Sequence, residues 1–265
     1  MAEISVIMSV YDDTHFKESL SSVLKQSFPD FELIVIDSRP EEVRSSDPDL
    51  ISDPRITAVL NDDSGSFLNL ALSKAGGNYI ARTDSNSLMH VDRLKVQHAI
   101  MEEEPSITVT GSWINVLADS NRRVLGSVSG VVEKPLFSLL DNNFIFSNTM
   151  MVRRSFLEKH EIPYESCQDL EHYKLCVDIA GKGGIFYVES QALADCYMPS
   201  DQKQVKKVAV SELKMKIIRG FIFGQDQENR EHLQNLLKEM IFFEKKNLIS
   251  VDHIINFFKF VFHNL

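Results

Sequence analysis

Asp84 stands where an apolar, strand-like run, Tyr79-Ile80-Ala81, gives out, and three small polar residues follow it: Ser85, Asn86 and Ser87. A lone carboxylate at the end of a buried strand is well placed to hold a ligand; the structural alternative is a turn or helix N-cap aspartate. Two further acids have comparable settings. Asp37 closes the run "FELIVID", and Asp169 follows Gln168 at the start of the helical text "CQDLEHYKLCVDIAGKGG". The helix dipole favours a carboxylate at an N-terminus whether it caps or reacts, so position alone leaves both readings open for Asp169. His172 and Cys176 share a face of that helix, but two groups do not make a zinc site.

These residues are positioned by a regular alternation of elements. "ISVIMSVY" reads as a buried strand, "THFKESLSSVLKQSF" as a helix with Phe16, Leu20, Val23 and Leu24 on one face and Thr14 as N-cap, and "FELIVIDS" as a second strand. That β-α-β unit implies a parallel pair. "RITAVLN", "NYIARTD" and "SITVTGSWINVLAD" add strands, with helices over "SGSFLNLALSKAGG" and "HVDRLKVQHAIMEEEP". The fold class is therefore α/β: a mostly parallel, Rossmann-like sheet flanked by helices, which binds ligands beyond the carboxyl ends of its strands. Ser9-Val10-Tyr11-Asp12, Asp37-Ser38 and Asp84-Ser85-Asn86 all fall at that edge. Residues 119–150 read as a loop-rich insertion, "TMMVRRSFLEKH" as a strand running into a helix, and "IFYVES" as the last strand. From about residue 203 the text is helical, with one stripe at Val210, Leu213, Ile217 and Phe221 and another at Leu233, Leu236, Leu237 and Met240.

Composition narrows the partners. The 265 residues are 43% hydrophobic and 25% charged, as in an ordinary globular protein, and a net charge of −10 argues against nucleic acid as main partner. Residues 201–265 hold 11 Lys+Arg against 8 Asp+Glu, so the tail is the less acidic part. Three cysteines, an odd count, suggest reduced thiols in a cytoplasmic setting. No signal peptide or membrane span is expected. A glycine-rich phosphate loop with a lysine after the first strand is absent, which disfavours a nucleotidyltransferase.

With these segments in order, the chain resembles the family 2 glycosyltransferases, of GT-A fold, over about residues 3–200. The resemblance rests on "ISVIMSVYDD", "SLSSVLKQSFPDFELIVIDS", "LNLALSKAGGNYIARTDSNSLMHVDRLKVQ" and "SNTMMVRRSFLEKHEIPYESCQDLEHYKLCVDIAGKG". It implies transfer of a sugar, with inversion, from a nucleotide-sugar such as a UDP-hexose to a hydroxyl of a glycan or lipid-linked acceptor in surface polysaccharide or lipopolysaccharide synthesis. It also implies Val10, Tyr11 and Asp37 as nucleoside contacts, Asp84 and Ser85 as donor contacts, and Asp169 as the base. The family's divalent cation, Mn²⁺ or Mg²⁺, is held by an Asp-x-Asp segment that matches Asp84-Ser85-Asn86-Ser87 here. The first acid is kept; Asn86 and Ser87 stand where further acids are usual, which implies a weaker metal or reliance on cationic side chains, with Arg82 and Arg93 nearby. The loop Ser38-Arg39-Pro40-Glu41-Glu42 also departs from the family's pattern. Trp113 reads either as a platform for acceptor sugar or as core, and Arg153 or Arg154 either as phosphate contacts or as charges at a helix start.

The division implied is a transferase domain over 1–200 and a helical extension over 201–265. That extension packs on the domain, forms a homodimer, or touches the inner face of a membrane. A rival reading, prompted by the altered acidic segment, is a non-catalytic protein of the same fold that binds a nucleotide or glycan or serves as a partner subunit.

Overall fold

The computed structural model describes residues 2–10, 14–39, 53–60, 67–118, 121–126, 128–141, 144–162, 171–197, 214–215, 218, 227–245 and 250–263. Strands β1 (Ile4–Val10) and β2 (Phe31–Asp37) are nearly continuous apolar runs, as expected of strands covered on both faces, whereas β3 (Ile56–Leu60) exposes Thr57 and Ala58 and β4 (Tyr79–Asp84) turns polar after Ala81. They lie side by side and parallel in the order β3-β2-β1-β4. Helix α1 (Phe16–Leu24) buries Phe16, Ser19, Leu20 and Val23, one stripe at helical spacing. It is preceded by His15, whose side chain makes no capping bond, so Thr14 is not its N-cap. Helix α2 (Phe67–Lys74) ends at Gly76-Gly77, and α3 (Arg93–Glu103) follows the short strand β5 (Ser87–Met89).

Beyond β4 the sheet becomes mixed. Its order continues β4-β9-β6-β10-β5, with β6 (Ile107–Ala118), β9 (Met151–Arg153) and β10 (Ile185–Tyr197). β9 runs antiparallel between β4 and β6, and β6 pairs in parallel with β10. Three expectations need correction. Residues 119–150 are more structured than a loop-rich insertion. They hold β7 (Asn121–Leu125) on the edge of β6, β8 (Gly130–Val131) on β10, helix α4 (Pro135–Asp141) and a 3-10 turn at Ser147–Thr149. The strands escape a hydrophobicity pattern because they are short and, in β7, carry Arg122 and Arg123. The last strand does not stop at Ser190: bulges around Glu189, Ala192 and Ala194 let polar Glu189-Ser190-Gln191 interrupt the alternation while pairing resumes. β5 was legible only as polar connection, since three residues carry no period.

Two cores sit on the two faces of the sheet. On one, Val6, Met8, Val10, Leu33, Val35, Tyr79 and Ala81 pack with α1 and α3. On the other, Ile7, Ile34, Ile36 and Ile80 pack with α2, with α5 (Arg154–Lys159) and with α6 (Glu171–Gly181). α6 ends as its glycines suggest: Gly183 has φ +81°, and Gly184 N donates to Ile179 O at 2.9 Å. Leu237 of α7 (Gln227–Lys245) and Ile254, Ile255 and Phe258 of α8 (Val251–His263) are buried in the second core. The first C-terminal stripe, apart from Ile218 beside it, lies outside the described residues. Among the described residues, no helix is long and apolar enough to cross a membrane.

Gly77 fixes the approach of the α2–β4 turn to β1. A β-carbon there would sit 2.6 Å from Ser5 N and 2.8 Å from the Ile4 carbonyl carbon, both backbone atoms that cannot yield cheaply. Gly77→Ala is expected to lower stability by about 1–3 kcal/mol, whereas Gly181→Ala, with open space around its β-carbon, should change little. Urea unfolding of the two variants reads the difference.

Candidate functional site

Strand register brings the expected residues to one edge and then separates them. Val10 pairs with Asp37 and Ser9 with Asp84, so all three strand ends meet at the carboxyl edge. Side chains alternate along a strand, and so Asp37 falls on the α1 face while Ser9, Arg82 and Asp84 share the other. Val10 is buried among the α1-face residues and its carbonyl accepts from Ser38 N at 2.9 Å, so its side chain is core. Tyr11 and Asp169 lie outside the described residues.

Asp37 is fully buried and already answered. Arg39 N donates to its Oδ1 at 3.0 Å, Arg39 Nε to Oδ1 at 3.0 Å, and Arg39 Nη2 to Oδ2 at 2.7 Å. The guanidinium is itself buried and lies 4.3 Å over the Phe16 ring. Sequence reasoning treated this segment as an atypical loop and missed the pair. Its signal is the i,i+2 spacing of acid and arginine immediately beyond a strand.

Asp84 is half-buried. Its Oδ1 accepts from Asn86 N at 3.1 Å and from Ser87 Oγ at 2.6 Å, an Asx turn that aims the chain sharply away from β4. Its Oδ2 has no hydrogen-bond donor among the described residues. Burial pushes the Asp84 carboxyl up, opposed by those two hydrogen bonds and by the nearby Arg82 and Arg93 charges. Ser85 is buried and tied down through its backbone: its N donates to Ser9 O at 2.9 Å and its O accepts from Ser19 Oγ at 2.8 Å. The Asn86 carbonyl accepts from Tyr197 N at 2.9 Å, and Tyr197 stacks on His15 with ring centroids 3.6 Å apart. This aromatic pair at the rim of the edge was not anticipated; nothing in the spacing of residues 15 and 197 announces it. An oxygen of Asp84 and the amide oxygen of Asn86 are the right donor type for a hard cation, with one negative charge between them.

The two candidate cations differ sharply. Arg93 is fully buried and donates to Arg82 O at 2.8 Å, Asn148 O at 2.6 Å, Met150 O at 3.3 Å and Gln97 Oε1 at 3.0 Å. Burial pulls its pKa down to about 9, so it stays charged near neutrality, but it is a structural tie and not free for a ligand. Arg82 is 9% exposed; its Nε is buried and has no partner. Arg153 and Arg154 serve carbonyls at the opposite edge: Arg153 reaches Ile107 O and Met101 O, and Arg154 reaches Ala75 O. A cavity of about 450 Å³ lies at that far edge, lined by Glu3, Tyr79, Glu102, Arg153 and Arg154 among others, away from Asp84. Trp113 donates Nε1 to Val128 O at 2.8 Å and packs against Gly126, where a β-carbon would meet the indole at 2.2 Å; it belongs to the core. Cys176 and Cys196 are buried free thiols, pushed by burial up to about 12 and about 11.

With the geometry in place, comparison with known proteins decides the family. The sequence model of "Glycosyl transferase family 2" matches residues 5–161. The chain belongs to that family. An uncharacterized glycosyltransferase of Haemophilus influenzae is 26% identical over 196 residues, 68% of this chain and 61% of its own length, so the chain spans under two thirds of that relative. The Escherichia coli UDP-Glc:alpha-D-GlcNAc-diphosphoundecaprenol beta-1,3-glucosyltransferase WfgD is 26% identical over 80% of this chain and 82% of its own. The fold is GT-A: the crystal structure of S. aureus TarS 1-349 in complex with UDP-GlcNAc superposes with a TM-score of 0.66 at 18% identity, covering 90% of this chain and 71% of that one.

His172, in the first turn of α6, is held neutral: burial and then the Arg82 charge pull its pKa from 6.5 to about 4. Between those values the unfolded chain takes up a proton that the folded chain refuses. Stability is therefore complete above pH 6.5 and falls as pH drops toward 4, by on the order of 2–3 kcal/mol for this group. His172→Gln should flatten that part of the stability–pH profile measured by chemical unfolding.

Proposed function

We propose that this family 2 chain is an inverting glycosyltransferase that moves a hexose from a UDP-sugar to a hydroxyl of a glycan acceptor in surface polysaccharide or lipopolysaccharide synthesis. The observation that carries the reading is Asp84, a half-buried carboxylate with one oxygen unanswered among the described residues, at the carboxyl edge of β4 in a chain of this family. UDP as the nucleotide draws support from the donor named for WfgD and the ligand named for TarS. A lipid-linked diphosphate acceptor draws support from the WfgD name alone.

In this reading the acceptor oxygen attacks the anomeric carbon while its bond to the diphosphate breaks. The acceptor proton passes to Asp169, placed by sequence two residues before α6 begins at Glu171. Asp84, with Asn86, would hold the divalent cation, Mn²⁺ or Mg²⁺; a bound cation would offset charge growing on the departing diphosphate. Asp84 is held in position by Ser87 Oγ and the Asn86 amide. Residues 1–200 form the transferase domain and 201–265 an extension. The burial of Leu237, Ile254, Ile255 and Phe258 in the second core favours packing over dimerisation or membrane docking. The reaction is placed on the cytoplasmic side.

A second reading, a non-catalytic nucleotide- or glycan-binding member, is favoured by Asn86 in place of an acid and by Arg39 closing on Asp37. A thermal-shift screen of nucleotide-sugars with Mn²⁺ and with EDTA, followed by UDP release with and without acceptor, separates them. UDP-sugars should raise the unfolding midpoint, since a ligand of the folded state stabilises it; binding without turnover on any acceptor supports the second reading. Asp169→Asn should lower kcat by about 10²-fold or more with UDP affinity unchanged; undiminished turnover removes Asp169 from the base role.

A further inference from the structure

Among the described residues near Asp84, Arg82 is a buried cation with no hydrogen-bonded partner for its side chain. It lies on β4 two residues before Asp84 and on the same face, paired in register with Ile7 of β1. Nine tenths of the residue is buried, its Nε has no partner, and no acceptor for its guanidinium is found among the described residues. Its charge is felt by Asp84 on one side and by His172 and Cys176 of α6 on the other. His172 is neutral and the Cys176 thiol is protonated, so neither answers the charge. Asp84 Oδ1 is already committed to Ser87 and Asn86. Ser9, its neighbour on β1, also keeps a buried hydroxyl without a partner on this face.

A buried guanidinium whose neighbouring carboxylate, Asp84, acts on it only through space, with no hydrogen bond between them among the described residues, is costly in the ligand-free fold. Such a group persists where a ligand completes it. The fork of a guanidinium fits two oxygens of a phosphate, and its charge does not titrate away near neutrality. Arg93 cannot fill this role, because its donors are used on carbonyls. Asn86 and Ser87 follow Asp84 without adding charge, so this segment carries a single negative charge.

We propose that Arg82 grips the diphosphate of the nucleotide-sugar and carries part of the charge stabilisation that a fuller acidic segment would assign to a metal. This rests on the donor-binding reading above. Arg82 is then a donor-binding residue, with Asp84 beside it and the unpaired Ser9 hydroxyl as a further donor on the same wall.

Calorimetric titration of uridine, UMP and UDP into the full chain, in EDTA and in Mn²⁺, tests it with Arg82→Met and Arg82→Lys. In EDTA, Arg82→Met should weaken UDP by on the order of tenfold or more and leave uridine within about twofold. Arg82→Lys, a point charge without the fork, should fall between. Without ligand, Arg82→Met should unfold at the same temperature as wild type or higher, because a buried charge with no hydrogen-bonded partner is removed; a purely structural arginine predicts the reverse. Equal loss of uridine and UDP, or an unchanged UDP affinity, overturns the proposal. Unchanged UDP affinity with a raised acceptor KM also overturns it, and assigns Arg82 to an acceptor phosphate. A wild-type chain that binds neither uridine nor UDP sinks the donor-site reading itself, whereas a wild type that binds both and an indistinguishable Arg82→Met sink this inference alone.

Discussion

The buried guanidinium of Arg93 ties together the elements beneath the site, because a charge withdrawn from water must find acceptors wherever the chain can supply them. Arg93 opens α3, yet its side chain spans to the Arg82 carbonyl on β4, to Asn148 in the 3-10 turn and to Met150 before β9. Gln97, one helical turn on, accepts from Arg93 and donates to Thr149 O and Thr110 Oγ1, carrying the network to β6. Segments far apart in sequence are thereby locked at the depth of Arg82, just below Asp84. The Asn148 side chain in turn donates to Ser87 Oγ, which donates to Asp84. The carboxylate's orientation thus depends on a chain of bonds that begins at a helix start on the far face of the sheet.

Sheet parity is the second constraint. Asp37 and Asp84 end strands on either side of β1, but their register partners, Val10 and Ser9, are adjacent residues and point to opposite faces. One acid is enclosed with Arg39 and Phe16; the other faces the α6 side with its Oδ2 unanswered. Two acids at one sheet edge are therefore not a carboxylate pair. Whatever ligand spans them must wrap over the end of β1, where Val10 offers core packing and an occupied carbonyl.

Much of this was legible in the sequence, for identifiable reasons. The first two strands are apolar on both faces, so the runs "ISVIMSV" and "FELIVID" announce themselves without any periodicity. The parallel pairing of β1 with β2 followed from the helix between them, and the convergence of Ser9, Asp37 and Asp84 followed from reading the sheet as mostly parallel. What escaped reading depends on pairing across long separations. β9 is three residues long and becomes a strand only because β4 and β6 flank it. β10 continues through a polar bulge because β6 is there to resume pairing. Arg82 and Arg93, equivalent as nearby cations in sequence, differ because the carbonyls that satisfy Arg93 come from β4 and from residues 148 and 150.

The single acid of the Asp84 segment and the unpaired Nε of Arg82 belong to one electrostatic balance. A cation site built from several carboxylates binds its metal through charge, and the same carboxylates would neutralise an arginine two residues upstream. With Asn86 and Ser87 in those positions, and with Ser87 Oγ donating to Asp84 instead of competing for a cation, the segment keeps a single negative charge. That charge is shared between an Asx turn and the field of two arginines. Asp84 then offsets Arg82 through space alone, with no hydrogen bond between them among the described residues. A diphosphate entering this edge would then meet a fixed, dehydrated cation whose position is set by β4 and whose carbonyl is held by Arg93. Such preorganisation costs stability in the empty fold and strengthens binding in the filled one, since the field needs no rearrangement when the ligand's charge comes in.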